Sequence, residues 1–196
     1  MIRLFDIIFS LFGLLVLSPL LLILALCIIF SSKGPVLYRQ IRIGKGGKEF
    51  TLLKFRSMYI NSDRQGLLTV GGRDPRITPI GYFVRKYKLD ELPQLWNVLI
   101  GEMSIVGPRP EVKKYVDLYT PEQRQILNAR PGITDMASII FKNENEILDK
   151  QTNPEQYYIE NIIPEKIQLN HIFIKRPTLL SYFKIILLTA KKVFVR

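Results

Sequence analysis

The sequence predicts a mostly helical α/β protein: a broken N-terminal membrane segment, a small β-hairpin, interfacial amphipathic helices and one compact domain. Three observations carry this prediction. Ile7 to Phe30 contain no charged residue and are interrupted at Ser18-Pro19. Two stretches rich in β-formers flank Gly44-Lys45-Gly46-Gly47-Lys48. Apolar residues then recur at helical spacing in Leu92, Leu95, Trp96 and Leu99, and again from Leu179 onward.

The uncharged segment is long enough for a bilayer core, which needs about 20 apolar residues. It ends in Cys27-Ile28-Ile29-Phe30 rather than in small residues, which argues against a cleaved signal peptide. Pro19 removes a backbone donor and clashes with the preceding turn, so the helix kinks or breaks there. Two halves of about 12 residues each would then enter and leave on one side; a plain spanning helix with a tolerated proline is the competing reading. Lys33, Arg39, Arg42, Lys45 and Lys48 follow the segment and place the body of the chain in the cytoplasm by the positive-inside rule.

Val36–Ile43 and Glu49–Ser57 read as a hairpin. On its second strand Lys54 and Arg56 share a face by period 2, either a solvated basic face or a phosphate contact. Residues 61–79, rich in Gly, Asp, Arg and Pro, read as a long functional loop, and Gly71-Gly72 matches no nucleotide-binding fingerprint. Ile80–Leu89 reads as a helix carrying Arg85, Lys86 and Lys88. Pro93–Ile100 forms the next, its stripe facing the core and Gly101 ending it. Pro121–Ala129 is a short helix with Thr120 as cap, and Asn143–Tyr158 is partly helical. On a helix from Thr178 to Arg196, a broad apolar side opposes Ser181, Lys184, Lys191, Lys192 and Arg196. That pattern suits an interface with anionic lipid, with packing on the core as the competitor.

Composition narrows the chemistry. The 196 residues suffice for one domain with a core, and the net charge of +11 calls for an anionic partner. A single cysteine, Cys27, precludes an intrachain disulfide; with His171 the only histidine, Cys/His zinc sites are excluded and His171 reads as structural or surface. Charge and anchor alone also fit a membrane-tethered basic module that recruits nucleic acid or acidic partners. No helix-turn-helix or RNP-type motif supports it. The chemical signal lies instead in adjacent acids, Asp90 and Glu91, preceded by Arg73, Arg76, Arg85, Lys86 and Lys88. Such a pair at a helix N-terminus suits a metal ion and phosphates. The surrounding cations are expected to lower both carboxyl pKa values. Prolines on both sides of Arg109 stiffen the backbone around a guanidinium fork suited to phosphate.

Four motifs appear in order: Lys54-Phe55-Arg56-Ser57-Met58, Asp90 through Val98, Met103 through Pro110, and Arg130-Pro131-Gly132-Ile133-Thr134. On these the chain resembles the bacterial sugar transferases that are monotopic polyprenyl-phosphate phosphoglycosyl transferases, in minimal form. The resemblance implies transfer of a phospho-sugar from a UDP-sugar to undecaprenyl phosphate, with UMP released. It implies Asp90 as nucleophile and Mg²⁺ ligand, with Glu91 assisting. Arg85, Arg109 and, less directly, Lys54 would hold phosphate. Ser18-Pro19 would make residues 1–32 a re-entrant anchor in the bacterial cytoplasmic membrane. Residues 33–196 would then form the catalytic domain on the cytoplasmic face, in contact with anionic lipids and not nucleic acid; self-association stays open. Where many members have Gly, an apolar residue, Ala and Gln, this chain has Asp135-Met136-Ala137-Ser138, a departure that bears on the donor sugar.

Overall fold

A computed structural model of the chain describes residues 1–71, 74–175 and 177–194. Arg73 and Arg196 therefore lie outside the described residues, as do the side chains of Val193 and Phe194. The fold is mostly helical, with a two-stranded antiparallel sheet and a short parallel pair.

Helices α1 (Ile2–Val16) and α2 (Ser18–Ser31) meet at a 61° bend. The break falls at Leu17, one residue before the expected Ser18-Pro19, because proline is tolerated in a first turn and so begins the second helix. Ser18 Oγ donates to Leu15 O at 2.8 Å across the bend. Among the described residues no single helix is long and apolar enough to cross a membrane, whereas α1 and α2 qualify together. Leu4, Phe12, Leu15, Leu22, Ile23 and Phe30 are all more than half exposed.

Both halves are nevertheless tied to the body. Arg3 donates to the carbonyls of Val98 and Leu99, at 2.5 and 2.9 Å. Asp6 is fully buried, and its Oδ1 accepts from Ser104 Oγ, the Ile105 N–H and Tyr182 Oη at 2.9–3.0 Å. Leu24 and Ile28 of α2 pack with Phe55 and Val84. Arg56 reaches back from the hairpin to Ser32 O at 2.6 Å and Ile28 O at 3.2 Å, fastening the end of α2. It is 5% exposed, which excludes the solvated basic face, because those otherwise open helix carbonyls draw the guanidinium inward.

Strands β1 (Leu37–Ile43) and β2 (Glu49–Phe55) form the predicted hairpin, with Tyr38 opposite Lys54 and Ile43 opposite Glu49. The described residues among 56–78 form a loop held by Arg76, which pairs with Asp74 at 2.6 Å and donates to the carbonyls of Gly66 and Leu68. Helix α3 (Pro79–Lys86) starts at a Thr78 cap. A 3₁₀ turn, Leu89–Glu91, leads into α4 (Gln94–Ile100), which Gly101 ends at φ 95°. The expected core stripe on α4 is not its buried face. Gln94, Asn97 and Val98 are buried and Trp96 is half exposed. Asn97 decides the orientation: its amide donates to Thr51 O and Glu102, and accepts from the Leu53 N–H at 3.1 Å, fixing α4 against β2.

Strands β3 (Ser104–Val106) and β4 (Gly132–Thr134) pair in parallel. Gly107 and Gly132 lie so close that a Cβ on Gly132 would come within 2.1 Å of Gly107 N. Between them run α5 (Lys113–Val116) and α6 (Pro121–Arg124), the latter with the Thr120 capping box. Helices α7 (Met136–Ile140), α8 (Glu144–Asp149), α9 (Pro154–Tyr157), α10 (Ile163–Lys175) and α11 (Leu179–Phe194) complete the chain. The largest core cluster joins Val112, Tyr115, Val116, Leu148, Tyr158, Ile162 and Ile167. On α11, Tyr182 and Ile185 are buried with Val106, so packing on the domain takes the helix's apolar face. Leu180 and Leu187 remain exposed beside Lys184 and Lys191.

Candidate active site

Lys88 adopts a left-handed backbone, φ 57° and ψ 23°, immediately before the 3₁₀ turn. A non-glycine residue there is strained, and such strain concentrates at functional sites. The tight turn sends two adjacent acids to different fates. Glu91 Oε1 accepts from Arg109 at 2.5 Å and Lys54 at 3.1 Å, and its Oε2 accepts from Arg109 at 3.3 Å. Asp90 is 7% exposed, and its Oδ1 is buried with no hydrogen-bond partner.

Both acids line one cavity of about 1000 Å³ together with Lys54, Arg85, Lys88 and Arg109. The structure thus brings the predicted site residues together, except Ser18 and Pro19, which belong to the helix bend. Lys54 sits near the end of β2 and spans to Glu91. Arg85, on the last turn of α3, donates to Thr69 Oγ1 at 2.9 Å and so connects the 56–78 loop to the cavity wall. Arg109 is aimed by its backbone, whose N–H donates to Asp135 Oδ2 at 2.9 Å.

The expectation that both carboxyl groups titrate low holds for one of them. The Arg109 and Lys54 cations hold Glu91 well below the usual range against the opposing effect of burial. Asp90 moves the other way. Burial raises its pKa first and the neighbouring Glu91 charge adds to that, outweighing Lys54, Arg85 and Lys88. Lys54 is in turn lowered by burial, partly offset by Glu91. The arrangement is therefore a clamped, charged Glu91 beside a buried, unpaired Asp90 under cations, suited to receive a phosphorylated ligand.

No cluster of three or more metal-ligating side chains exists among the described residues. Mg²⁺ commonly takes only one or two carboxylates and completes its shell with water and substrate phosphates. The unpartnered Oδ1 of Asp90 fits that demand, whereas the contacts from Arg109 and Lys54 occupy Glu91.

Sequence reasoning missed Asp6, Asp135, Asn170 and the Arg42–Glu111–Tyr158 group. Asp6 had a usable signal, as the only acid before Glu49 and next to an uncharged run. Asp135 had one too, in its departure from the motif. Asn170 had none.

A profile of the family described as bacterial sugar transferase matches residues 1–196. The chain belongs to the bacterial sugar transferase family. Within it, a Klebsiella pneumoniae UDP-glucose:undecaprenyl-phosphate glucose-1-phosphate transferase is 36% identical over 197 residues, covering 98% of this chain and 40% of that protein. An Aeromonas hydrophila UDP-N-acetylgalactosamine-undecaprenyl-phosphate N-acetylgalactosaminephosphotransferase is 39% identical over 163 residues, covering 80% and 38%. The exopolysaccharide production protein ExoY of Sinorhizobium fredii is 40% identical over 157 residues, covering 72% and 70%. This sugar transferase chain spans less than half the length of the first two relatives. Membership of the sugar transferase family does not favour the nucleic-acid module that charge alone allowed.

Proposed function

We propose that the protein is a phosphoglycosyl transferase that moves a phospho-sugar from a UDP-sugar to undecaprenyl phosphate, initiating assembly of a bacterial glycoconjugate. The observation that carries this reading is the unpaired, buried Asp90 carboxylate in a cation-lined cavity of a sugar transferase family member.

Asp90 attacks the sugar-linked phosphorus of the donor. The phosphorus–oxygen bond to UMP breaks, UMP leaves with that electron pair, and an aspartyl phospho-sugar remains. A phosphate oxygen of undecaprenyl phosphate then attacks the same phosphorus, frees Asp90 and forms undecaprenyl-diphosphate-sugar. Arg109, fixed by Glu91 and Asp135, and Lys54 and Arg85 hold phosphate oxygens against the charge that develops. Mg²⁺ bound at Asp90 would supply further neutralisation of the diphosphate. Glu91 fixes both cations and thereby the geometry.

The exposed apolar surface of α1 and α2 supports insertion of this pair as a re-entrant anchor, both ends on the cytoplasmic face of the cytoplasmic membrane. The ties from Arg3, Asp6 and Arg56 would keep the cavity at headgroup depth, where the lipid phosphate lies. Exposed Tyr82, Tyr87 and Trp96 supply the amphipathic rings typical of that layer.

The test combines purified protein, undecaprenyl phosphate, Mg²⁺ and a panel of UDP-sugars, with UMP release measured. Turnover of at least one donor is expected, and no release from any donor sinks the reading. For topology, a cysteine near residue 2 in a Cys27→Ser background should resist impermeant labelling from outside intact cells. Labelling from outside would favour a spanning helix.

A further inference from the structure

The same cavity is lined by Arg42, Glu111, Tyr158, Lys166 and Glu144, each in contact with the next, and by Ser138; these make up one lobe of its wall, and none is used by the proposed chemistry. We infer that this lobe is the subsite for the transferred sugar ring, and that Glu111, Glu144, Lys166 and Ser138 read its hydroxyl pattern; this inference rests on the transferase reading.

Charge separates the lobe from the dyad. Around Asp90 and Glu91, the cations Lys54, Arg85, Lys88 and Arg109 outnumber the acids, so a diphosphate is drawn there. In the lobe two cations face two acids, and Lys142 on the same stretch of wall donates instead to Lys192 O. Glu111 Oε2 lies 3.5 Å from Arg42, and Glu144 forms an ion pair with Lys166. Matched charges offer a second phosphate little net field, but they offer a neutral polyol carboxylate acceptors and ammonium or guanidinium donors side by side.

The groups are held in place before any ligand arrives. Tyr158 Oη donates to Glu111 Oε1 at 2.5 Å, and Arg42 donates to Pro110 O at 2.8 Å. Side-chain exposures of 11–22% for the two ion pairs show that they are largely screened from solvent yet still line the cavity. Fixed polar groups lose little entropy on engaging hydroxyls.

The nucleobase is a poorer occupant. Stacking of a uracil ring on Tyr158 is disfavoured, since Lys166 already sits 5.0 Å over that ring. The Tyr115 ring meets the same ring edge-on at 5.2 Å. Position also favours the sugar. Glu111 lies two residues past Arg109, so the lobe adjoins a cation proposed to hold phosphate.

The test measures kcat/KM of the full chain for UDP-glucose, UDP-galactose and their N-acetylamino counterparts, together with UMP affinity by calorimetry. Glu144→Gln and Ser138→Gln are compared with wild type. Each variant should change the ratio between the best donor and its epimer by about tenfold or more. UMP affinity should stay within about twofold, well under the tenfold that 1.4 kcal/mol represents. Ser138 lies on the cavity wall and is only half-buried, so Ser138→Gln keeps the test alive if Glu144→Gln fails to fold. An unchanged donor ratio in a folded variant, or UMP affinity falling in step with activity, overturns the sugar assignment; the second result would give the lobe to the nucleoside. Wild-type protein that turns over no donor overturns the transferase reading itself, and the subsite with it.

Discussion

Asp135 Oδ2 accepts the backbone N–H of Arg109 at 2.9 Å, and the guanidinium of that arginine closes on Glu91. The same carboxylate caps α7 through the Ser138 N–H and accepts from Asn170 of α10 at 2.6 Å. One buried acid thus couples the C-terminal helices to the dyad. Asp135→Ala strands three donors at once and removes a helix cap. The expected loss is about 2–4 kcal/mol, read as a lower urea midpoint. Asp135→Asn, which keeps an acceptor oxygen, should lose markedly less.

Asp90 sets function against stability. Burial and the Glu91 charge raise its pKa above the ordinary 3.8, so the folded state binds this proton more tightly than the unfolded state does. Ionised Asp90 therefore opposes folding at any pH above its raised folded value, and the penalty fades as pH falls toward the ordinary value. Asp90→Asn should abolish UMP release yet raise the melting temperature at pH 7. The gain should shrink on acidification. Retention of most wild-type turnover would remove Asp90 as the nucleophile.

Glu91 behaves in the opposite sense. Its folded pKa is depressed, so the stability it contributes is fully present above the unfolded value of about 4.3 and is lost as pH falls through the folded one. Glu91→Gln leaves Lys54 and Arg109 facing each other, at an expected cost of about 3–5 kcal/mol. Denaturation from neutral pH downward should show a constant gap between variant and wild type until pH drops below the ordinary glutamate range.

Arg56 is a mechanical link. Replacing it with Met removes its hydrogen bonds to Ile28 and Ser32 and loosens the exit of α2. The fold should lose about 2–4 kcal/mol. Tryptic cleavage at exposed Lys33 in detergent should become faster.

The local elements were legible because their signals are local. The Gly44–Lys48 loop, the Thr120 cap and Gly101 each declare themselves within a few residues, and each stands where it was expected. Asp90, Glu91, Lys54 and Arg109 were legible as a group because the motifs that carry them are specific, whereas Lys86, named with the dyad's cations, lies over the Tyr87 ring and off the cavity wall. What stayed hidden depends on partners distant in sequence. Asn97 turns α4 by bonding a strand about 45 residues away, against the apolar pattern of the helix. The upward shift of Asp90 follows from burial, which cations counted along a sequence do not reveal. Arg56 looked like its neighbour Lys54 by strand period, yet the end of α2 claims it.

The buried carboxylate of Asp6 has a consequence for synthesis. Its partners are Ser104, Ile105 and Tyr182, the last of them 176 positions away. A ribosome adding about 5–20 residues per second exposes α1 many seconds before Tyr182 emerges. During that interval the first helix carries a carboxyl group with an incomplete set of partners, so its docking can finish only late. Truncations that remove Tyr182 should therefore be felt first at α1, far away in sequence, as a helix that has nowhere to settle.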